Sequence, residues 1–310
     1  MSDSAAVPGL SVPSQRRPKT AAVAVALVAV VAVCAALYLR ATGPSTSSGA
    51  VQLPLATYSA PASVVAGTAA TSGGLVYVLA NTGSAANVQA INTATNTVSQ
   101  ILPVSNASRS VAVSSTGTVA VATAAGTTGS LLFISKSGVH HGVVALPGPT
   151  QQVIAEADGR SFLALVDAKG DFAAVSVNST TNKVSGVTPL SNLSLSLTVS
   201  PDGTTIYDLL STSVVQLVSV QNGKPFESFS VPTGGRAIAL SADGSTLYEL
   251  KGSSSDNNIA VLNVSTQSVK TVMPAPANCV GIAPSLTSLQ VYDFVGTPRY
   301  SNVQLFATHL

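Results

Sequence analysis

The sequence predicts an all-β fold built from repeated four-stranded units, and three observations support this prediction. After residue 39, no long segment has the helical period of about 3.6 residues. The apolar residues there come in short runs that Gly, Ser, Thr, Asn and Pro interrupt. A strand-turn-strand motif also recurs, as "LTVSPDGTTIYDLL" (197–210) and "IALSADGSTLYEL" (238–250). Self-similarity at a fixed period is typical of repeat architectures.

A recurring glycine marks the first turn of each unit. Successive copies lie 43, 42, 44 and 41 residues apart, at Gly74, Gly117, Gly159, Gly203 and Gly244. A tight hairpin turn requires a positive φ, which glycine adopts without strain and which a preceding Asp also tolerates. The spacing therefore predicts a hairpin near the start of every unit.

A second turn signal lies later in alternate units. It reads "INTATNTV" (91–98), "VNSTTNKV" (177–184) and "LNVSTQSV" (262–269), with Asn92, Asn178 and Asn263 spaced 86 and 85 residues apart. Asn and Thr side chains close such turns by bonding to nearby backbone. Each signal separates two strands in which apolar and polar residues alternate. Together with the two strands of the glycine hairpin, these give four strands in each unit.

Six units of this kind predict a β-propeller, because a single four-stranded unit cannot bury both of its faces and units arranged around an axis can. The first strands are expected to begin near Val64, Arg109, Gln151, Ser194, Arg236 and Cys279. The sixth unit stops at a third strand, in "NVQLFATHL" (302–310). The segment "VQLPLATYSA" (51–60) is a spare fourth strand. We expect it to complete the last blade and so remove two open sheet edges.

The N-terminal region predicts a membrane anchor. Residues 20–39 carry no charge, and as a helix they would match the thickness of a bilayer core. Arg16, Arg17 and Lys19 precede them, which places the N-terminus in the cytoplasm by the positive-inside rule. Two alternatives remain open at this stage: a cleaved signal peptide, and a lipoprotein modified at Cys34.

This reading divides the chain into four parts. Residues 1–19 form a disordered cytoplasmic tail, residues 20–39 a transmembrane signal anchor, residues 40–50 a flexible linker and residues 51–310 the propeller. The chain is therefore expected in the cell membrane, crossing it once, with the propeller outside the cytoplasm.

The repeat motifs resemble a known family. "VSPDGTTIY", "LSADGSTLY" and "NTATNTV" resemble the YVTN (WD40-like) repeats of bacterial β-propellers, which are akin to surface-layer and lactonase-like propellers. The resemblance covers residues 51–310. It implies the fold more than a function, because the matching residues are turn and core positions.

Few residues suggest a catalytic or metal-binding role. Asp158, Asp202 and Asp243 occupy the same hairpin turn of successive units and are interpreted as turn formers. Glu156 is the best acidic candidate near a first strand, but no carboxylate has the equivalent place in another unit. No catalytic residue, metal site or cofactor is predicted.

The remaining polar candidates have plain structural interpretations. His140 and His141 lie at the turn into an outer strand, where adjacent side chains point to opposite faces and cannot easily share a metal ion. Cys279 is interpreted as a small buried strand residue. Beyond the anchor flank, ten Lys and Arg residues nearly balance eleven Asp and Glu residues, which argues against a nucleic-acid surface.

One pair of residues predicts a ligand site. Arg109 and Arg236 occupy the same place, just before the first strands of the second and fifth units. These units are opposite each other in a six-membered ring. The two guanidinium groups could therefore form a shallow anion site at one mouth of the channel. The alternative is that each arginine caps a loop or bonds a neighbouring carbonyl.

The sequence thus favours a non-enzymatic, membrane-anchored binding or scaffolding module. Its partner would be a protein or glycan of the cell envelope, or a small anion, and the chain is expected to be a monomer. The alternative is a lactonase-like hydrolase with its site in the central channel. A purely structural envelope protein is a third reading.

Overall fold

The computed structural model describes residues 54–60, 63–70, 74–82, 84–252, 257–285, 290–296 and 301–307. These residues form six antiparallel sheets of four strands each, and no helix occurs among them. The predicted six-bladed propeller of four-stranded blades is confirmed.

The blades follow one another along the chain. Blade 1 contains β2 (Val64–Ala69), β3 (Leu75–Asn81), β4 (Ala86–Asn92) and β5 (Thr97–Val104). Blade 2 contains β6 (Ser108–Val113), β7 (Val119–Ala125), β8 (Thr128–Ile134) and β9 (His140–Leu146). Blade 3 contains β10 (Thr150–Ala155), β11 (Ser161–Ala168), β12 (Asp171–Asn178) and β13 (Lys183–Pro189).

The remaining three blades have the same order. Blade 4 contains β14 (Ser194–Val199), β15 (Thr205–Leu210), β16 (Val214–Ser219) and β17 (Pro225–Ser230). Blade 5 contains β18 (Gly235–Leu240), β19 (Thr246–Gly252), β20 (Asn257–Asn263) and β21 (Ser268–Ala275). Blade 6 contains β22 (Cys279–Pro284), β23 (Gln290–Gly296), β24 (Ser301–Ala307) and, as its outer strand, β1 (Ala56–Ala60).

The N-terminal strand closes the ring, as the sequence predicts. β1 pairs antiparallel with β24, with Tyr58 opposite Val303 and Ser59 opposite Asn302. The backbone N–H of Ser59 also donates to the Asn96 side chain of blade 1, at 3.1 Å. Strand β1 therefore completes blade 6 by pairing with β24 and also bonds across to blade 1.

The turns follow the predicted chemistry. The five recurring glycines of the first turn all have positive φ, between 60° and 85°. In the later turns, Asn92 and Asn178 each accept two backbone N–H groups, and Asn263 accepts that of Thr266. Asn96 and Asn182 adopt positive φ there, at 52° each. Side-chain hydrogen bonds from short polar residues thus close the turns, where the backbone hydrogen bonds between strands end.

The first strands differ slightly from the sequence prediction. Those of blades 2, 3 and 5 begin one residue earlier than expected, at Ser108, Thr150 and Gly235. The reason is a β-bulge at the second residue of every first strand, where pairing with the second strand shifts. The residues before the bulge still pair, so the strand extends further than its apolar pattern indicates.

The core lies between neighbouring blades. Apolar side chains from facing sheets form six clusters, one at each interface around the ring. The smallest lies between blades 3 and 4, with six buried members against thirteen between blades 2 and 3. Hydrophobic packing is therefore weakest at the interface of blades 3 and 4.

The proposed tail, anchor and linker lie outside the described residues. Among the residues that are described, no helix is long and apolar enough to cross a membrane.

Candidate functional site

A central channel runs along the axis of the ring, and all six first strands contribute to its wall. It encloses a cavity of about 410 Å³ that extends to the turns between first and second strands. We call the face with these turns the turn face, and the face where the first strands begin the start face. Among the described residues of the cavity wall, Glu156 at the turn face is the one that carries a charge.

The start face carries a ring of six equivalent residues, one from each bulge. In blade order these are Val65, Arg109, Gln151, Leu195, Arg236 and Val280. All six are exposed to solvent. We call them the bulge ring. A bulge turns its extra residue away from the regular sheet pattern, which explains why three apolar side chains are exposed there.

Arg109 and Arg236 are the two charged members of the bulge ring, in blades 2 and 5. Since two blades separate them in either direction around the ring, they lie on opposite sides of the channel mouth. The Arg236 Nη2 atom donates to Asn257 Oδ1 at 2.8 Å and to the Cys279 carbonyl at 3.2 Å. Its guanidinium group is thus held by its own blade and by a carbonyl of the next, which is the bond that the alternative interpretation of these arginines expects.

Three carboxyl groups are buried just below this ring, and the sequence analysis did not single them out. Asp208, Glu249 and Asp293 occupy the same position on the second strands of blades 4, 5 and 6, and each has no exposed surface. The equivalent residues of the other blades are apolar, namely Val78, Val121 and Ala164. Among the described residues, the fully buried carboxyl groups therefore lie on the second strands of three consecutive blades.

Each carboxyl group faces the first residue of its own blade. Asp208 Oδ2 accepts a hydrogen bond from Ser194 Oγ at 2.7 Å. Asp293 contacts the Cys279 thiol in the same way. In blade 5 the first residue is Gly235, and the longer Glu249 side chain extends into the space that a side chain there would fill. Within the described structure, neither oxygen of Glu249 has a hydrogen-bond partner.

Burial controls the protonation of these groups. Desolvation raises the pKa of Glu249 to about 8, although Lys251 opposes the rise. Desolvation likewise raises the pKa of Asp208 to about 7 and that of Asp293 to about 7. The pKa of the Cys279 thiol is raised by burial and by Asp293, so this thiol is not activated as a nucleophile.

A sequence signal for the three carboxyl groups exists in retrospect. Each acid directly follows a tyrosine in an otherwise apolar strand, in "IYDLL", "LYELK" and "VYDFV". The acids are spaced 41 and 44 residues apart, which is the spacing of the repeat. A charged residue at the centre of a buried strand, repeated at the period of the fold, indicates a position inside the interface between blades.

The residues with structural interpretations behave as predicted. Asp158, Asp202 and Asp243 accept hydrogen bonds from their own turns. Cys279 is buried in β22. The paired histidines lie at the exposed start of the outer strand β9.

No group of three or more possible metal ligands occurs in the part of the chain that the structure describes.

Comparisons with known proteins identify the fold. No protein-family model matches the sequence, and no curated protein does so. Among solved structures, the β-propeller domain of Myceliophteria thermophila Cps50 (Swd1) superposes with a TM-score of 0.60 at 10% identity, covering 83% of this chain and 100% of that domain. Kuenenia stuttgartiensis hydrazine synthase superposes with a TM-score of 0.58 at 14% identity, covering 81% of this chain and 77% of that one.

These similarities concern the backbone alone, because identities of 10% and 14% carry no residue of a site from one protein to another. One of the two is an enzyme by name, so the shared architecture does not decide between binding and catalysis. The resemblance to YVTN repeats has no matching family model. The chain is a six-bladed β-propeller, and the comparisons show this fold alone.

Proposed function

We propose that this chain is a non-enzymatic binding module, anchored in the cytoplasmic membrane by residues 20–39, that holds an anionic partner at the start-face mouth of its propeller. The partner is an acidic protein or glycan of the cell envelope, or a smaller anion with the same charge. The observation that carries the proposal is the composition of the bulge ring, which has an arginine in each of two opposite blades and no acidic member.

Two features support binding at this place. Arg236 is fixed by two hydrogen bonds, which lowers the entropy lost when it binds a ligand. Each arginine has an exposed apolar neighbour in the bulge ring: Val65 lies in the blade next to that of Arg109, and Leu195 and Val280 lie in the blades on either side of Arg236. A guanidinium pair bordered by apolar side chains is suited to an acidic group attached to a larger body.

At mildly acidic pH, the buried acids below the mouth do not repel anions. Because burial raises the pKa of Asp208, Glu249 and Asp293, these groups are protonated below their pKa values and do not offset the arginines. Anion affinity should therefore fall as the pH rises from 6 to 9, when up to three negative charges form under two positive ones.

The test uses the full-length chain in detergent micelles, titrated with poly-L-glutamate, alginate and sulfate in a calorimeter at pH 6. We expect binding of at least one probe, at least tenfold weaker in the Arg109→Ala/Arg236→Ala double variant. The matched control is Arg160→Ala/Lys183→Ala, which removes the same charge from exposed residues near the turn face. Unchanged affinity in the Arg109/Arg236 variant would refute the proposal, as would an equal loss in the control.

A further inference from the structure

The interface between blades 3 and 4 is bridged by Gln152 at the place where the interfaces on either side of it are bridged by a serine. Between blades 2 and 3, Ser110 Oγ accepts the Val153 N–H at 3.1 Å, and between blades 4 and 5, Ser196 Oγ accepts the Ile238 N–H at 3.1 Å. At the equivalent place between blades 3 and 4, the longer Gln152 reaches across and bonds both backbone groups of Leu197.

A cleft opens in this interface toward the turn face. Its volume is about 340 Å³, which lies in the range of small-molecule pockets. Part of the space exists because residue 186 is a glycine: a Cβ atom there would meet only the Ser176 side chain, at 3.9 Å. The walls combine apolar side chains such as Leu163 and Val199 with the polar Thr188 and Gln221.

The Glu156 carboxyl group lies in this cleft. Its Oε1 atom accepts a hydrogen bond from Ser176 Oγ at 2.6 Å, and Ser176 Oγ in turn accepts from Ser185 Oγ at 3.0 Å. The two hydroxyl groups orient the carboxylate and leave it open to a further partner. The charged group acting on it is Asp158, and burial together with that negative charge raises the pKa of Glu156.

Glu156 does not have the structural role of its counterparts. Its backbone N–H makes the same turn bond as that of Ser200 and Ser241, to the residue five positions later. In those blades the serine hydroxyl accepts the N–H that follows the turn. In blade 3, Asp158 accepts the N–H of Ser161 instead. The turn therefore does not need Glu156, whose side chain is directed into the cleft.

We propose that the cleft between blades 3 and 4 binds a small organic ammonium ligand, with the Glu156 carboxylate pairing with the cationic group. The apolar walls cover the body of the ligand, and the hydroxyl and amide groups of Ser185, Thr188 and Gln221 bind its polar substituents. An ammonium group supplies the positive charge that the described surroundings of Glu156 lack. The site is separate from the bulge ring and does not rest on the proposed function.

The experiment compares amines with neutral analogues of similar shape. The full-length chain in micelles is titrated at pH 8 with ethanolamine, 4-amino-1-butanol and 6-amino-1-hexanol, and with ethylene glycol, 1,4-butanediol and 1,6-hexanediol. We expect at least one amine to bind and its hydroxyl analogue to bind at least tenfold more weakly. Binding should weaken at pH 5, where Glu156 is protonated to a greater extent.

Two variants then locate the site. Glu156→Gln keeps the shape and removes the charge, whereas Gly186→Val keeps the charge and fills the cleft. Each should abolish amine binding, and the control Asp171→Asn, an exposed acid at the start of β12, should not. Absence of binding by all three amines, equal binding of the neutral analogues, or full binding in both cleft variants would overturn the proposal. Circular dichroism confirms that each variant is folded.

Discussion

The carboxyl group of Glu249 occupies the space that a side chain on residue 235 would need. In the preceding blade the same two places hold Ser194 and Asp208, and in the following blade Cys279 and Asp293. A longer acid thus faces a residue without a side chain, and a shorter acid faces a residue with one. The three pairs fill similar space between the blades in two different ways.

The shared space can be tested by giving blade 5 the pair of residue types found in blade 4. Gly235→Ser should destabilise the propeller by about 1–3 kcal/mol, because the added hydroxymethyl group overlaps the buried Glu249 carboxyl group. Adding Glu249→Asp should restore most of that loss, because the double variant has the Ser194–Asp208 arrangement of blade 4. The measurement is urea unfolding of the full-length chain in micelles, followed by circular dichroism.

The control for this exchange is Gly281→Ser on β22. A Cβ atom at residue 281 would meet no other atom within 4 Å, so this variant should lose little stability. If the Gly235→Ser/Glu249→Asp double variant were as unstable as Gly235→Ser alone, the two residues would not be coupled through shared space.

Stability should also depend on pH, with a direction set by the same three acids. Their pKa values, about 7 for Asp208 and Asp293 and about 8 for Glu249, exceed the value of about 4 that such groups have in an unfolded chain. Between pH 4 and 8 the folded chain therefore binds more protons than the unfolded chain. The free energy of unfolding must fall as the pH rises through this window, by at most about 1.4 kcal/mol per pH unit for each acid.

Other carboxyl groups do not reverse this expectation. Burial acts to raise the pKa of Asp158, but hydrogen bonds from its turn outweigh it, and hydrogen bonds likewise lower the pKa of Asp202, so both groups titrate below the window. Glu156 has a raised pKa and acts in the same direction. We expect the urea midpoint to decrease from pH 5 to pH 8, and Glu249→Gln to make the decrease shallower. A midpoint that increases over this range would contradict the assignment of buried, protonated acids.

The sequence was sufficient to predict the blades because turns and strands are local. A positive φ at Gly203 and an Asn178 side chain that bonds its own turn depend on neighbours within a few residues. The closing strand was also predictable, because the repeat leaves one strand missing at one end and one spare at the other. That prediction depended on counting units and on the cost of an open sheet edge.

The site could be predicted only in part. Arg236 was placed correctly at the start of a first strand, but its bonds to Asn257 and Cys279 depend on how closely blade 6 approaches. The hydrogen bond between Ser176 and Glu156 likewise depends on the face of blade 3 over which the Glu156 side chain lies. Such contacts are set by the spacing between blades, which a repeat motif does not encode.

Closure of the ring by β1 leads to the last prediction. Deleting Ala56–Ala60 from the full-length chain leaves β24 with an unpaired edge and removes Tyr58, which is 8% exposed within the core between blades 6 and 1. Loss of a buried aromatic side chain alone costs about 3–5 kcal/mol. We expect a lower urea midpoint and association of the chain through its open edge, detected by size-exclusion chromatography.

Deleting five residues of the proposed linker, 44–48, should change neither property. A synthetic peptide of residues 54–60, added in excess, should partly restore the midpoint by pairing with β24, since a ligand that binds only the folded state stabilises it. If the deletion left the midpoint unchanged, strand β1 would not be what holds the ring closed.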